Sequence, residues 1–263
     1  ASTKSITIQG GNTEGDLDPA GVALGMFIQY SRLCLEPLVT YDSDGKVSKA
    51  MAESYEESSD GLTWTFHLRK DAKWSDGSAV TSADFVNTIK RSLDGKTSKS
   101  IYADMLSPIV GATEAYAGTV SVDNVGVTAP DDYTIEFKLV KPCSYFLKLI
   151  AMQCCYPSKA GIATNENETW YTDPKTNLAN GAFYMTEYVQ GQYYKLKKNP
   201  NYYDADKVYL EDITVKFIDD ATAAVSAYKT NEVDFATNLP AYVMSEYQGK
   251  SDLVLQPNIT TRF

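Results

Sequence analysis

The sequence predicts an α/β fold, and three observations predict it. Residues 62–69 alternate strictly, with Leu62, Trp64, Phe66 and Leu68 on one side and Thr63, Thr65, His67 and Arg69 on the other, as in a strand with one buried face. Lys73-Trp74-Ser75-Asp76-Gly77 then carries turn residues, and Thr81 with Asp84 offers the capping pair of a helix that repeats Phe85, Ile89 and Leu93 along one face. Strand followed by capped helix recurs where Ile213, Val215 and Phe217 alternate and Asp219 or Asp220 can cap a helix running through Tyr228.

Composition bounds the function. With 263 residues, 43% hydrophobic and 12% aromatic, the chain can bury a sizeable core as one large or two ordinary domains. A net charge of −10 disfavours a phosphate backbone as partner, because that partner rewards clustered Lys and Arg, so no nucleic acid is expected. No run reaches the roughly 18 apolar residues of a membrane span, and Phe146 to Met152 is interrupted by Lys148. No basic segment followed by an apolar one stands at the start, so any export signal or lipid anchor is expected to have been removed or to lie outside these residues. Cys34, Cys143, Cys154 and Cys155 lack zinc-finger and CxxC spacing, and His67 is the one histidine, so neither a metal site nor a cofactor is expected. For the thiols the residues leave two alternatives, free and buried, or a bridge from Cys154 or Cys155 to Cys143 or Cys34.

In chain order, Ser5 to Gln9 reads as a short strand broken at Gly10-Gly11-Asn12, and Met26 to Leu35 has helical spacing. Tyr41 to Gly45 is a turn. Asp94-Gly95-Lys96 ends the helix over Ser82 to Leu93, and Tyr102 begins a short helical or irregular run. Val120 to Thr128 and Tyr133 to Leu139 read as strands joined at Asp131-Asp132, and Pro142 to Met152 as a helix opened by its proline. Thr164 to Asn180 is a polar loop with Trp170 and Tyr171 as packing residues. Phe183 to Tyr188 and Tyr193 to Lys198 form a hairpin turning at Gln190-Gly191, and Asn231 supplies the left-handed residue that ends the next helix. Pro240 opens a helix that Gly249 closes, and Leu253 to Phe263 reads as a strand that stops within the element.

The run LTWTFHLRKDAKWSDGSAVTSADF over Leu62 to Phe85 closely resembles the signature region of the extracytoplasmic solute-binding proteins of peptide-uptake ABC transporters, the family of oligopeptide- and dipeptide-binding proteins. Leu17-Asp18-Pro19, Ala50 to Tyr55 ahead of the opening strand, Asn180 to Tyr184, Lys198 to Tyr203 and Glu232-Val233-Asp234 resemble further elements of that family. Tyr203 stands where tryptophan is more usual, and Asn231 where glycine is. The resemblance covers essentially the whole chain, which is about half of a typical member. It implies a periplasmic-binding-protein-like lobe with mixed β-sheets and two subdomains, residues 1–43 plus 165–263 and an inserted 44–164, the opposing C-terminal lobe being absent from the chain. It also implies substrate contacts at Ala23, Leu24, Gly25, Met26, Tyr102, Thr237, Asn238, Asn258 and Thr260. The best-known members place an acidic residue where Ala23 stands, a change that backbone pairing with an extended peptide would survive. For Tyr102 the alternative is an aromatic packed at a domain edge.

The function so implied is a non-enzymatic receptor that closes two lobes around a short peptide and hands it to permease subunits. It would work in the periplasm or on the outer face of the cell membrane, held there by a lipid anchor. The alternatives are an exported hydrolase and a binding protein of the same family for a sugar or a nickel chelate. Serine hydrolysis lacks its base and any GxSxG element, whereas a carboxylate pair is not excluded by counting. The single histidine argues against nickel, and the gap-free spacing from Asp18 to Val39 favours peptides.

Overall fold

The computed structural model describes residues 4–11, 17–21, 26–42, 44–98, 100–167, 169–237 and 239–254, without the side chains of residues 26–28. Strand β1 (Ser5–Gly10) is followed by helix α1 (Met26–Cys34), both where the spacing places them. The turn at Tyr41 to Gly45 is the loop of a hairpin, β2 (Val39–Tyr41) and β3 (Val47–Lys49), whose arms are too short to show a period. The stretch expected to precede a strand is itself one, β4 (Ala52–Glu57), paired antiparallel with β5 (Thr63–Leu68). It escaped detection because an edge strand reading Ala-Glu-Ser-Tyr-Glu-Glu carries one large apolar side chain.

Helix α2 (Ser82–Leu93) is capped by Asp84, whose carboxylate accepts the Thr81 N–H at 2.9 Å. The Thr81 hydroxyl turns to that same oxygen at 3.4 Å. Phe85, Ile89 and Leu93 are fully buried, and each contributes about 1.5–3 kcal/mol of transfer free energy. A 3-10 turn over Ala103–Leu106 follows Tyr102 and packs on α3 (Ala112–Tyr116).

Two expectations are corrected next. Within Val120 to Thr128, residues Val122–Asn124 form a 3-10 turn capped by Ser121, and strand β6 (Val127–Asp131) starts later and runs on to its turn. Ser121 accepts the Asp123 N–H at 3.2 Å, and this local bond competes with the strand. β6 is an edge strand whose pairing with β7 (Thr134–Lys138) shifts between Thr128 and Asp131, around Pro130, which has no N–H to give. The helix expected from Pro142 is α4 (Phe146–Ile150), one turn shorter at its start. Pro142 instead packs against the turn at Gly61.

The remaining elements are β8 (Phe183–Val189), β9 (Tyr193–Lys198), β10 (Asp212–Phe217), α5 (Ala221–Lys229) and α6 (Ala241–Tyr247). Asp220 caps α5 through the Ala223 N–H at 2.7 Å. Asn231 adopts φ 58° after it, as the helix end requires. Leu253 and Val254 are irregular, and the rest of the strand expected there lies outside the described residues.

Two four-stranded sheets organise these elements. One is mixed, in the order β1-β10-β9-β8 with β1 parallel to β10, and the other is antiparallel, in the order β4-β5-β7-β6. On the second, Phe66 and Phe137 meet edge-on at 5.6 Å and Phe137 meets Phe146 of α4 at 5.3 Å, geometry that adds to their burial. All four cysteines are free and buried, which decides between the two alternatives for the thiols. Among the described residues no helix is long and apolar enough to cross a membrane.

Candidate functional site

Asp18 of the Leu-Asp-Pro element makes a turn and an ion pair with one side chain. One carboxylate oxygen accepts the Ala20 N–H at 3.0 Å, while the Asp18 carbonyl accepts that of Gly21 at 3.0 Å. The other oxygen pairs with the Arg91 guanidinium of α2. Arg91 also donates to Asn165 and Ser158, each at 3.1 Å, and lies over the Trp170 ring. This buried network fixes the chain immediately ahead of residues 22–25. Ala23, Leu24 and Gly25 lie outside the described residues, and Met26 is the first residue of α1.

Thr237 lies on the opposite flank of β1 from β10. Residues 234–237 run beside β1, with the Asp234 N–H on the Thr7 carbonyl at 2.7 Å and the Gln9 N–H on the Phe235 carbonyl at 2.9 Å. The Asp234 carboxylate accepts the Thr7 N–H at 2.7 Å. Gln9 then reaches across, its side-chain oxygen accepting both the N–H (2.9 Å) and the hydroxyl (3.0 Å) of Thr237. Beyond this segment opens a groove of about 570 Å³ lined by Val225, Phe235, Thr237, Leu239, Val243 and Tyr247 among others. Phe235 is 48% exposed at its mouth. Asn238, Asn258 and Thr260 lie outside the described residues.

Tyr102 is half-buried against the core, at the head of the 3-10 turn that packs on α3. Its backbone N–H meets the Ser100 hydroxyl at 3.3 Å. Of the residues implied as contacts, the structure thus gives side-chain surroundings to Thr237 and Tyr102, and it sets them on different elements.

Gln9 was not singled out from the sequence. It occupies the polar position of an alternating strand, which normally faces water, but the 234–237 segment covers that face and leaves Gln9 only 3% exposed. A partner so distant in the chain leaves no local signal.

The other signature elements converge on a structural knot. The Asn180 amide accepts the Glu36 N–H at 2.9 Å and donates to the Glu36 carbonyl at 3.0 Å. A side chain on Gly181 would meet the Cys34 carbonyl carbon at 2.7 Å, so only glycine permits this approach. Ser75 donates its N–H to the Ala179 carbonyl at 2.7 Å, and the Asn201 amide donates to the Ser75 carbonyl at 3.1 Å. Glu36 accepts the hydroxyls of Tyr203 at 2.8 Å and Tyr202 at 3.3 Å. Burial pushes the Glu36 carboxyl above its usual range, and burial followed by the Glu36 charge pushes Tyr202 up to about 12. Arg69 covers the Tyr203 ring at 3.2 Å while holding Asp71 at 2.7 and 3.1 Å.

These groups hold one another and not a substrate. Asp84 is likewise committed, to Trp74 Nε1 and the N–H groups of Thr81 and Ala160, all at 2.9 Å. His67 is exposed on its strand, 3.8 Å from the more exposed Glu56. Among the described residues no three His, Cys, Asp or Glu side chains stand together as metal ligands.

An α/β lobe with an open apolar groove along a sheet edge, and with its buried carboxylates committed to structure, has the form of a solute-binding protein. The chain belongs to the family described as Bacterial extracellular solute-binding proteins, family 5 Middle, whose profile matches residues 46–263. It is 33% identical over 240 residues to the periplasmic oligopeptide-binding protein OppA of Escherichia coli, covering 90% of this chain and 44% of that protein. It is also 33% identical over 229 residues to the probable deoxycholate-binding periplasmic protein YgiS of the same organism, covering 86% of this chain and 42% of that one. Among solved structures it is similar to Listeria monocytogenes OppA bound to peptide, with a TM-score of 0.86 and 27% identity over 95% of this chain and 49% of the other. The chain thus spans less than half the length of the curated relatives it matches.

Proposed function

We propose that this chain is a ligand-capturing lobe of an extracytoplasmic receptor that collects short peptides for the permease of an ABC importer and performs no chemistry. The observation that supports this most directly is the likeness, along 95% of the chain, to a relative solved with peptide bound. Main-chain pairing along an edge ignores side chains and suits a ligand of varied sequence. Ala23, Leu24, Gly25, Met26, Tyr102, Thr237, Asn238, Asn258 and Thr260 would supply this wall of the cleft. Residues 1–43 with 165–263 would form one subdomain and 44–164 the inserted one, a division supported by the two four-stranded sheets sharing no strand. The opposing wall would come from the portion of the relatives that this chain does not span, and a lipid anchor would hold the receptor at the membrane.

Mass spectrometry of ligand co-purified with the gene product at its natural length tests the reading. Short peptides are the expected finding, while a bile acid, sugar or nickel chelate would overturn the solute class. Calorimetry of these 263 residues with a peptide mixture should show weak binding or none, because one wall leaves a ligand half solvated. Turnover of chromogenic esters or glycosides would overturn the non-enzymatic reading.

A further inference from the structure

Gln9 occupies a position that a strand residue seldom holds, since each of its four polar atoms has a partner on a different part of the chain or across the β1 edge. Its N–H meets the Phe235 carbonyl at 2.9 Å, and its carbonyl receives the Gln29 amide of α1 at 3.4 Å. Its side-chain nitrogen donates to the Ile218 carbonyl at 2.8 Å. That donor fixes which end of the amide is oxygen, and the oxygen takes both protons of Thr237, from N–H and from hydroxyl. Gly10 leaves room for the arrangement, because a side chain there would stand 3.1 Å from the Gln29 oxygen and 2.6 Å from Val215.

The consequence concerns the chemistry offered at the groove. A threonine hydroxyl ordinarily donates or accepts as its partner requires. Here its proton is committed to Gln9 while the residue lines the groove, so any contact the Thr237 oxygen makes there is through its lone pairs. We propose that Gln9 is a positioning residue of the ligand site, which holds Thr237 as an obligate acceptor and so selects an N–H donor at that point of the solute. A peptide amide or ammonium group meets this requirement, and a carboxylate or carbonyl oxygen does not. Through Gln29 the same residue ties α1 to the Thr237 segment. The proposal rests on the peptide-binding reading and specifies its polarity at one contact.

The test uses the gene product at its natural length, with trialanine and trilysine as probes in titration calorimetry. Gln9→Met keeps the side chain's length but accepts no hydrogen bond, and it should weaken binding about tenfold or more. Gln9→Glu distinguishes positioning from general stability. Protonated or charged, its carboxyl still accepts both Thr237 protons, so peptide affinity should stay within about threefold of the parent's even where the weakened contact to the Ile218 carbonyl lowers the melting temperature. If Gln9→Met does not fold, Thr237→Val reads the same contact and should also lose about tenfold. Unchanged affinity in Gln9→Met or Thr237→Val, or a loss in Gln9→Glu as large as in Gln9→Met, overturns the proposal while the peptide reading stands. Failure of the unsubstituted protein to bind either probe removes the peptide reading, and the proposal with it.

Discussion

Substitution of Asp18 separates the two tasks of its carboxylate. The Asp18 and Arg91 side chains are 10% and 8% exposed, so removing either charge strands the other in a site that water hardly reaches. Breaking such a pair from one side costs about 3–5 kcal/mol. Asp18→Asn keeps an oxygen for the Ala20 N–H, and Arg91 keeps Asn165 and Ser158, so the low end of that range, about 3 kcal/mol, is expected. Asp18→Ala also loses the turn bond and should cost about 1 kcal/mol more. Arg91→Met leaves the carboxylate buried without its cation and should cost about 3–5 kcal/mol. In the double variant Asp18→Asn/Arg91→Met neither charge is stranded, so its loss should fall short of the sum by about 1–3 kcal/mol. Urea unfolding followed by tryptophan fluorescence measures all four variants, with Trp170 reporting beside Arg91. Single losses within about 0.5 kcal/mol of zero, or a strictly additive double, would refute the reasoning.

Three further outcomes follow from a buried carboxyl, four buried thiols and a left-handed asparagine. Burial raises the Glu36 carboxyl, so the folded chain binds that proton more tightly than the unfolded one. Its stabilising contribution is complete below the unfolded value of about 4.3 and is lost as pH rises through the higher folded value. Glu36→Gln should therefore be more stable than the parent at neutral pH, the gap closing by about pH 4 in paired urea melts. All four thiols are buried, Cys34 raised by burial and Cys155 by its bond to Cys154 and then by burial. An alkylating reagent should leave the native chain unmodified and label four sites after denaturation, as counted by intact mass. Asn231→Ala places a Cβ-bearing residue without a local hydrogen-bonding side chain at φ 58° and should cost about 1 kcal/mol, whereas Asn231→Gly should not, by thermal melting.

Local chemistry made most elements legible. The α2 cap, the hairpin at Gly191, the Asp220 cap and the left-handed Asn231 each follow from residues within four positions of one another. The failures share a cause as well. β4 pairs through its backbone at a sheet edge while four of its six side chains face water, so its sequence need not alternate in hydrophobicity. Pro142 read as a helix opener because a local rule permits it, but the turn at Gly61 claims it from 81 positions away in sequence, 61 against 142. Gln9 failed the same way, since the strand period assigns it to solvent and only the fold brings Thr237 over it.

The recognisable motifs and the residues proposed to face the solute therefore have different physical duties. Asp18, Trp74, Asp84, Asn180, Gly181, Asn199 and Asn201 spend their polar groups on other parts of the chain, joining loops that no continuous strand or helix connects. Such positions tolerate few residue types, because each buried donor or acceptor left without a partner costs about 1–3 kcal/mol. That is why they read as a family signature. On the proposed reading the groove wall is constrained differently, since Phe235 and Leu239 line open space and can change with the solute at little cost to folding. Equal identity, 33%, to relatives named for oligopeptides and for deoxycholate is what this division produces when the shared residues serve the scaffold. On the proposed reading, solute choice then rests on a few groove positions and on the buried residues that orient them, Gln9 among them.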